Sequence, residues 1–194
     1  MKKNFLISIL SLAILLMITG YTLLDRGKND RRLAKDPEIQ DKYIDPGLKK
    51  VIQVAIVVKD IETTSQKWAE LLGMPVPEIR TTRPGHEVKE IYRGKPSEGQ
   101  VKLTFFNLGQ VVLELLQPVS PGTSWQEFLD TKGEGVQHLG FTVVDEVKAS
   151  RELEKEGYPV FHRGRYDSDD GTYIYHDTQE ALGVVIELLH SDPR

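Results

Sequence analysis

The stretch Val111-Val-Leu-Glu-Leu-Leu116 returns almost unchanged as Val184-Val-Ile-Glu-Leu-Leu189, and each copy plants one glutamate inside an apolar run. In an extended strand, side chains alternate faces with a period of two. Glu114 therefore shares a face with Val112 and Leu116, and Glu187 with Val185 and Leu189. A carboxylate in such a place must be paired, hydrogen-bonded or bound to a metal.

Working outward, the whole of the chain around these runs reads as two passes of one pattern. Val51 to Val58 is an apolar strand, and Asp60 to Leu72 has helix spacing at Ile61, Trp68, Leu71 and Leu72, ending at Gly73 and Pro75. Strands are predicted at 88–93, 101–108 and 111–117, the last two joined through Asn107-Leu-Gly109. The second pass has a strand at 136–143, a helix at 146–156 ended by Gly157 and Pro159, and strands at 160–163, 172–176 and 183–190. Aligning Gln53 with His138 places Val58 on Val143 and Asp60 on Asp145. An internal repeat of this kind dominates the fold assignment. Pro118 to Gly135, with a short helix at Trp125 to Lys132, reads as the linker. The expected fold is α+β: two β-α-β-β-β modules, 49–119 and 134–191, in one domain spanning 49–191, curling into an open eight-stranded sheet or barrel.

With 194 residues and a formal net charge of -4, the chain shows no basic stripe, which argues against a nucleic-acid partner. It has no cysteine, so disulfides and thiolate metal sites are excluded. Phe5 to Leu24 is uncharged and long enough to cross a bilayer as a helix, preceded by Lys2 and Lys3. Residues 1–24 are therefore read as a membrane anchor or signal segment, and 25–48 as a polar tether. That predicts a membrane-anchored protein, on either side of the membrane, or a secreted or periplasmic one after signal cleavage.

Four polar residues occupy equivalent places in the two modules: Gln53 and His138 on the first strands, Glu114 and Glu187 on the last. Two carboxylates, one imidazole and one amide oxygen make a mixed oxygen and nitrogen set that suits a divalent ion such as Zn, Ni, Co, Mn or Fe(II). Two glutamates balance the ion's charge, and four protein ligands leave room for water or substrate on a six-coordinate metal. Each residue also has a plainer reading: an ion-pair member for Glu187, a hydrogen-bonded core residue for His138, a simple donor for Gln53. Arg163 and Arg165 are candidates to clamp an anionic substrate group, and Tyr173 and Tyr175 share a strand face that would line a pocket. His86, His162, His176 and His190 read as solvated side chains in loops or at strand ends.

The paired modules, the opening Gln53-Val-Ala-Ile-Val-Val-Lys-Asp60, the strand end Glu114-Leu-Leu-Gln-Pro118, the entry Gly133-Glu-Gly-Val-Gln-His138 and the exit Gly183-Val-Val-Ile-Glu-Leu-Leu189 resemble the vicinal oxygen chelate superfamily. That group includes glyoxalase I, methylmalonyl-CoA epimerase, ring-cleaving dioxygenases and bleomycin-resistance binding proteins. The run from Glu114 through Trp125-Gln-Glu-Phe-Leu129 to His138 is similar to the epimerases, but Glu114 and Gln53 stand where those commonly carry Gln and His. The order Gln, Glu, His, Glu is instead similar to the metal set of eukaryotic glyoxalase I.

The resemblance implies a metal-dependent lyase or isomerase that abstracts a proton next to the carbonyl or thioester of a small-molecule substrate. By analogy with glyoxalase I, Glu187 leaves the metal to act as base. By resemblance to the epimerases, Glu90 is a second acid/base group. A metal-free binding module of bleomycin-resistance type is the alternative from another class. A dioxygenase fits less well, since only His138 stands where such sites use two histidines. Whether the modules pair within one chain or between two copies in a homodimer is left open by the residues.

Overall fold

The computed structural model describes residues 45–193, and within them a mixed, curved ten-stranded sheet forms an open half-barrel with four helices. Strand β1 (Val51–Val57) leads into helix α1 (Ile61–Leu72), then come the short strands β2 (Arg80–Thr81), β3 (Ile91–Tyr92) and β4 (Lys95–Pro96), and the long strands β5 (Val101–Asn107) and β6 (Val112–Pro118). Helix α2 (Ser124–Lys132) links to β7 (Gly135–Thr142), α3 (Glu146–Lys155), β8 (Val160–Arg165), β9 (Gly171–His176), the four-residue α4 (Gln179–Leu182) and β10 (Val185–Ser191).

The strand order is β2-β5-β6-β1-β7-β10-β9-β8-β3-β4. The first strands of the two repeats, β1 and β7, pair antiparallel at the centre, and each is flanked by the last strand of its own repeat in parallel, β6 beside β1 and β10 beside β7. The halves therefore meet within one chain.

Asp60 and Asp145, equivalent in the repeat, start the equivalent helices: each carboxylate accepts from the backbone N–H three residues on, at Thr63 and Lys148. One sheet face carries Phe106, Leu113 and Leu115 against Ile61 and Ala69 of α1. The other carries Ala55, Val57, Leu103, Leu116 and Val185, with Trp125 of α2 packed among them. Alternation along β6 thus gives one side to the helix and the other to a cleft, and Glu114 belongs to the cleft side.

The sheet has ten strands, where the repeat predicted eight. The strand expected over 88–93 is only Ile91–Tyr92, because Lys89 and Arg93 have positive φ (55° and 46°) that interrupt an extended run. The chain from β2 to β5 also crosses the molecule. Ile91 and Tyr92 pair with Arg163 and His162 of β8, so a hairpin of the first repeat forms the far edge of the second.

The expectation of a membrane-anchored, or cleaved and exported, protein is corrected. No helix among the described residues is long and apolar enough to cross a membrane. Residues 5–24, on which that expectation and the proposed membrane partner rested, lie outside the described residues, as do 25–44 of the tether.

Candidate active site

Each repeat carries a donor, one residue of other character, and a small residue: Gln53-Val-Ala55 in β1 and His138-Leu-Gly140 in β7. Antiparallel pairing sets the donor of one opposite the small residue of the other, Gln53 opposite Gly140 and His138 opposite Ala55. The same small residues lie beside the glutamates, Ala55 beside Glu114 and Gly140 beside Glu187. The absence of bulk at these two points lets four polar side chains converge. A Cβ on Gly140 would stand 2.8 Å from Glu187 Oε2 and 2.9 Å from Gln53 Cβ.

The sheet therefore brings together Gln53, Glu114, His138 and Glu187. His138 Nε2 lies 3.4 Å from Glu114 Oε2 and 3.3 Å from Glu187 Oε2, and the Gln53 amide is 2.5 Å from Glu114 Oε2. The His138, Glu114 and Glu187 side chains are 0%, 7% and 4% exposed, so their charges are settled by one another rather than by water. Burial works against an imidazolium, but the carboxylates of Glu187 and Glu114 outweigh it and raise His138 to about 9. Burial likewise pushes the Glu114 carboxyl upward, with His138 opposing.

Behind the ring, Gln137 Oε1 accepts from His138 Nδ1 at 2.5 Å. Gln137 reaches its neighbour because the β1–β7 register slips between Ala55/His138 and Ile56/Val136, a bulge that re-aims the side chain. With Nδ1 carrying the proton, Nε2 is left facing the carboxylates.

The fit of this set to a divalent ion can be judged from spacing. With metal–donor lengths of about 2.0–2.2 Å, adjacent ligands in a tetrahedral or octahedral shell stand about 3.0–3.5 Å apart. The His138–carboxylate separations fall in that range, and the buried Glu187 Oε2 has no hydrogen-bond partner. No group of three or more His, Cys, Asp or Glu side chains among the described residues makes a metal cage by itself. The case for an ion rests on His138, the two carboxylates and that orphaned oxygen; the Gln53 amide, whose Nε2 faces Glu114 and His138, joins the set once it turns its oxygen inward.

Gln53, Glu114 and Glu187 line a cleft of about 370 Å³, His138 is fully buried beside them, and Glu90 also lines that cleft. Glu90 follows the turn at Lys89 and is tied down by its backbone: its N–H donates to Gly85 O and its carbonyl accepts from Ser97 N–H. Gly99 is needed beneath it, since a Cβ there would come within 2.5 Å of Glu90 Oε1. Glu90 Oε1 is 3.4 Å from His162 Nε2, and Oε2 accepts from the Tyr173 hydroxyl at 3.2 Å. Burial acts to raise the Glu90 carboxyl, but His162 and the hydroxyls of Ser97 and Tyr173 prevail and hold it below the usual value.

A family model described as the glyoxalase/bleomycin resistance protein/dioxygenase superfamily matches residues 52–176. The chain belongs to that superfamily. Its similarity to the uncharacterized protein YqjC of Bacillus subtilis is 25% identity over 122 residues, 60% of this chain and 87% of that one. Among solved structures, methylmalonyl-CoA epimerase from Mycobacterium tuberculosis superposes with a TM-score of 0.55 at 21% identity, covering 75% of this chain and 90% of the epimerase. The Streptomyces coelicolor methylmalonyl-CoA epimerase in complex with 2-nitronate-propionyl-CoA gives 0.55 at 20%, covering 76% and 100%. A hypothetical protein from Bacillus halodurans gives 0.53 at 19%, covering 75% and 96%. At such identities the likeness is one of fold.

Within this superfamily architecture the remaining expected residues fare unequally. Tyr173 and Tyr175 line the cleft, and burial lifts both hydroxyls well above their ordinary pKa, so they stay protonated donors. Arg165 also lines the cleft but is already held by Asp169 and Asp192. Arg163 is exposed and is not brought to the cleft wall, because it sits one residue out of phase with His162 on β8.

His162 and His176 correct the expectation of solvated histidines, since both are fully buried. His176 joins Ser150 to Tyr158 O, a brace between α3 and the sheet. His162 approaches Glu90, a contact the sequence reading missed. The signal available was alternation in Val160-Phe-His-Arg-Gly-Arg165, which puts His162 on one face with Val160 and Gly164 and sends Arg163 to the other.

Proposed function

We propose that this chain is a metal-dependent lyase or isomerase of glyoxalase or epimerase type, moving a proton on the carbon next to a carbonyl or thioester. The observation that carries the reading is the donor ring of Gln53, Glu114, His138 and Glu187, whose Gln53, Glu114 and Glu187 line the same cleft as a separate carboxylate, Glu90. Those four residues would hold a divalent ion, and a cation bound there supplies Lewis acidity to a substrate oxygen.

The chain's own groups do the rest. Glu90 is kept ionised and can accept a proton from carbon. Glu187, whose Oε2 is unpartnered, offers a second carboxylate from the sheet side. One base returning its proton to a neighbouring atom gives isomerisation; two bases working from different sides give inversion at one carbon. Tyr173 and Tyr175, together with Trp125, exclude water and orient the substrate. A thioester is a fitting substrate class because related structures include an epimerase bound to a propionyl-CoA compound.

A second reading has its own support. Gln53 satisfies Glu114, and a protonated His138 balances both carboxylates, so the ring is electrostatically stable on its own, as a metal-free binding protein requires.

The test is metal analysis of the full-length protein, together with solvent-deuterium exchange into the α-carbons of a panel of carbonyl and thioester compounds. The enzyme reading expects about one equivalent of divalent metal and exchange that stops with chelator and in His138→Ala. A protein that holds no metal, catalyses no exchange and still binds compounds from the panel is a binder.

A further inference from the structure

We infer that His162, braced by Ser124, is the positioning residue of Glu90, fixing which oxygen of that carboxylate is engaged and keeping the group ready to take a proton. The inference rests on the reading of Glu90 as an acid/base group and adds the two residues that control it. Three side chains form a line leading away from the cleft: Ser124 Oγ is 2.7 Å from His162 Nδ1, and His162 Nε2 is 3.4 Å from Glu90 Oε1. All three are buried, and of them Glu90 alone lines the cleft.

His162 Nε2 and Glu90 Oε1 have no hydrogen-bond partner elsewhere and face one another at 3.4 Å. Two buried groups left facing only one another are costly unless they act on one another. A hydroxyl donating to Nδ1 selects the tautomer that carries its proton on Nε2, aimed at the carboxylate. Ser124 is held for this purpose as the first residue of α2, directly after the Thr123 cap that accepts from Gln126 N–H.

The imidazole cannot turn away. Tyr92 of β3, Trp125 of α2, and Tyr173 and Tyr175 of β9 surround it with ring centroids at 5.4, 4.7, 5.6 and 5.4 Å, all edge-on. The groups facing the pair are therefore few. The titratable ones are Tyr92, Tyr173 and Tyr175, with Glu127 of α2 and Arg93 reached through the Tyr92 hydroxyl, and the uncharged Ser97 lies beside Glu90. The Lys89 backbone, held in the left-handed region just before Glu90, shows that the local fold accepts strain to present this carboxylate.

The test uses full-length protein carrying carboxyl-labelled glutamate and ring-labelled histidine, with the Glu90 signal assigned by Glu90→Gln. His162→Phe keeps the aromatic packing and removes the donor; the Glu90 midpoint is expected to rise by about one pH unit or more. His162→Gln, which restores an N–H, should recover part of that shift, and Ser124→Ala should produce a smaller rise while changing the His162 tautomer signal. A Glu90 midpoint that stays put in folded His162→Phe overturns the inference. Should His162→Phe not fold, Glu90→Gln decides, since it must alter the His162 ring-nitrogen tautomer signal if the two are coupled, and an unaltered signal overturns the inference. Deuterium exchange separates the two readings. Exchange that survives Glu90→Gln sinks the acid/base role, whereas exchange lost in Glu90→Gln but untouched in His162→Phe sinks the positioning role alone.

Discussion

In the first repeat Glu114 lies beside Ala55 and its Oε2 is taken by the Gln53 amide; in the second, Glu187 lies beside Gly140 and its Oε2 is unpartnered. The two carboxylates occupy equivalent places in a duplicated frame, yet one accepts from an amide while the other has no hydrogen bond and stands 3.3 Å from the His138 imidazole. Duplication supplied a near-symmetric ring with small differences around it: a methyl against none, an amide against an imidazole. The first repeat also surrendered a hairpin to the far edge of the second, which is how Glu90 comes to face His162.

The sharpest way to break the comparison is to exchange the unlike donors for alanine. His138→Ala removes the only group in the ring that can carry positive charge, so retained metal should fall by more than about 100-fold, against about tenfold for Gln53→Ala. Without metal, leaving both buried carboxylates unbalanced should also cost about 3–5 kcal/mol. Metal analysis and urea denaturation of the two variants read both effects.

Next in size is the contrast between the glutamates. Glu187→Gln should slow α-proton exchange by about 10²–10⁴-fold. Glu114→Gln should act mainly through metal affinity, so that raising the metal concentration restores exchange there and not in Glu187→Gln. Equal, metal-rescued defects would show that the repeats had not divided their roles.

Smaller again are the residues that make room. Gly140→Ala drives a methyl against Glu187 and Leu189 Cδ1 and should destabilise the protein by about 1–3 kcal/mol. Ala55→Gly only loosens the strand and should cost about 0.5–1 kcal/mol. Chemical denaturation curves compare them directly, and a tolerant Gly140 would undo the packing account of the ring.

The least effect is expected at the helix caps. Asp60 is held below its ordinary pKa by the Thr63 N–H and hydroxyl. A depressed carboxyl contributes stability that is fully present above the unfolded value near 3.8 and fades as pH falls through the lower folded value. Thermal melts of Asp60→Asn should therefore run slightly below the parent at neutral pH and converge with it in strong acid. Asp145, which accepts from Lys148 N–H, is the matching position in the second repeat.

The repeat and the four donors at its equivalent places were legible because they follow from local periodicity: two-residue alternation around Glu114 and Glu187, and helix spacing after Asp60; the meeting of the repeats at β1 and β7 was not, since periodicity does not say which strands pair. The stretch between residues 80 and 100 was not. Ile91–Tyr92 gains a partner from the other repeat, and although Gly94 marks the turn into β4, Lys89 and Arg93 also take positive φ with no glycine to signal it. His162 was hidden for a related reason. Followed by Arg163 and Gly164, it reads as the end of an exposed strand, and the aromatic cover from Tyr92 and Trp125, remote in sequence, helps make it interior. Arg165 shows the reverse: a candidate clamp by sequence, it is answered by Asp169 nearby in the chain and by Asp192, which the fold brings to it.

The central seam has a practical consequence. Gln53 and His138 stand 85 positions apart and meet only when both halves have closed on one another. Anything that settles on the ring must therefore favour the closed chain over the open one and shift the melting temperature of the entire domain by mass action. A simple thermal screen of ions and then of thioesters would thus fish for the natural ligand without any assay of turnover.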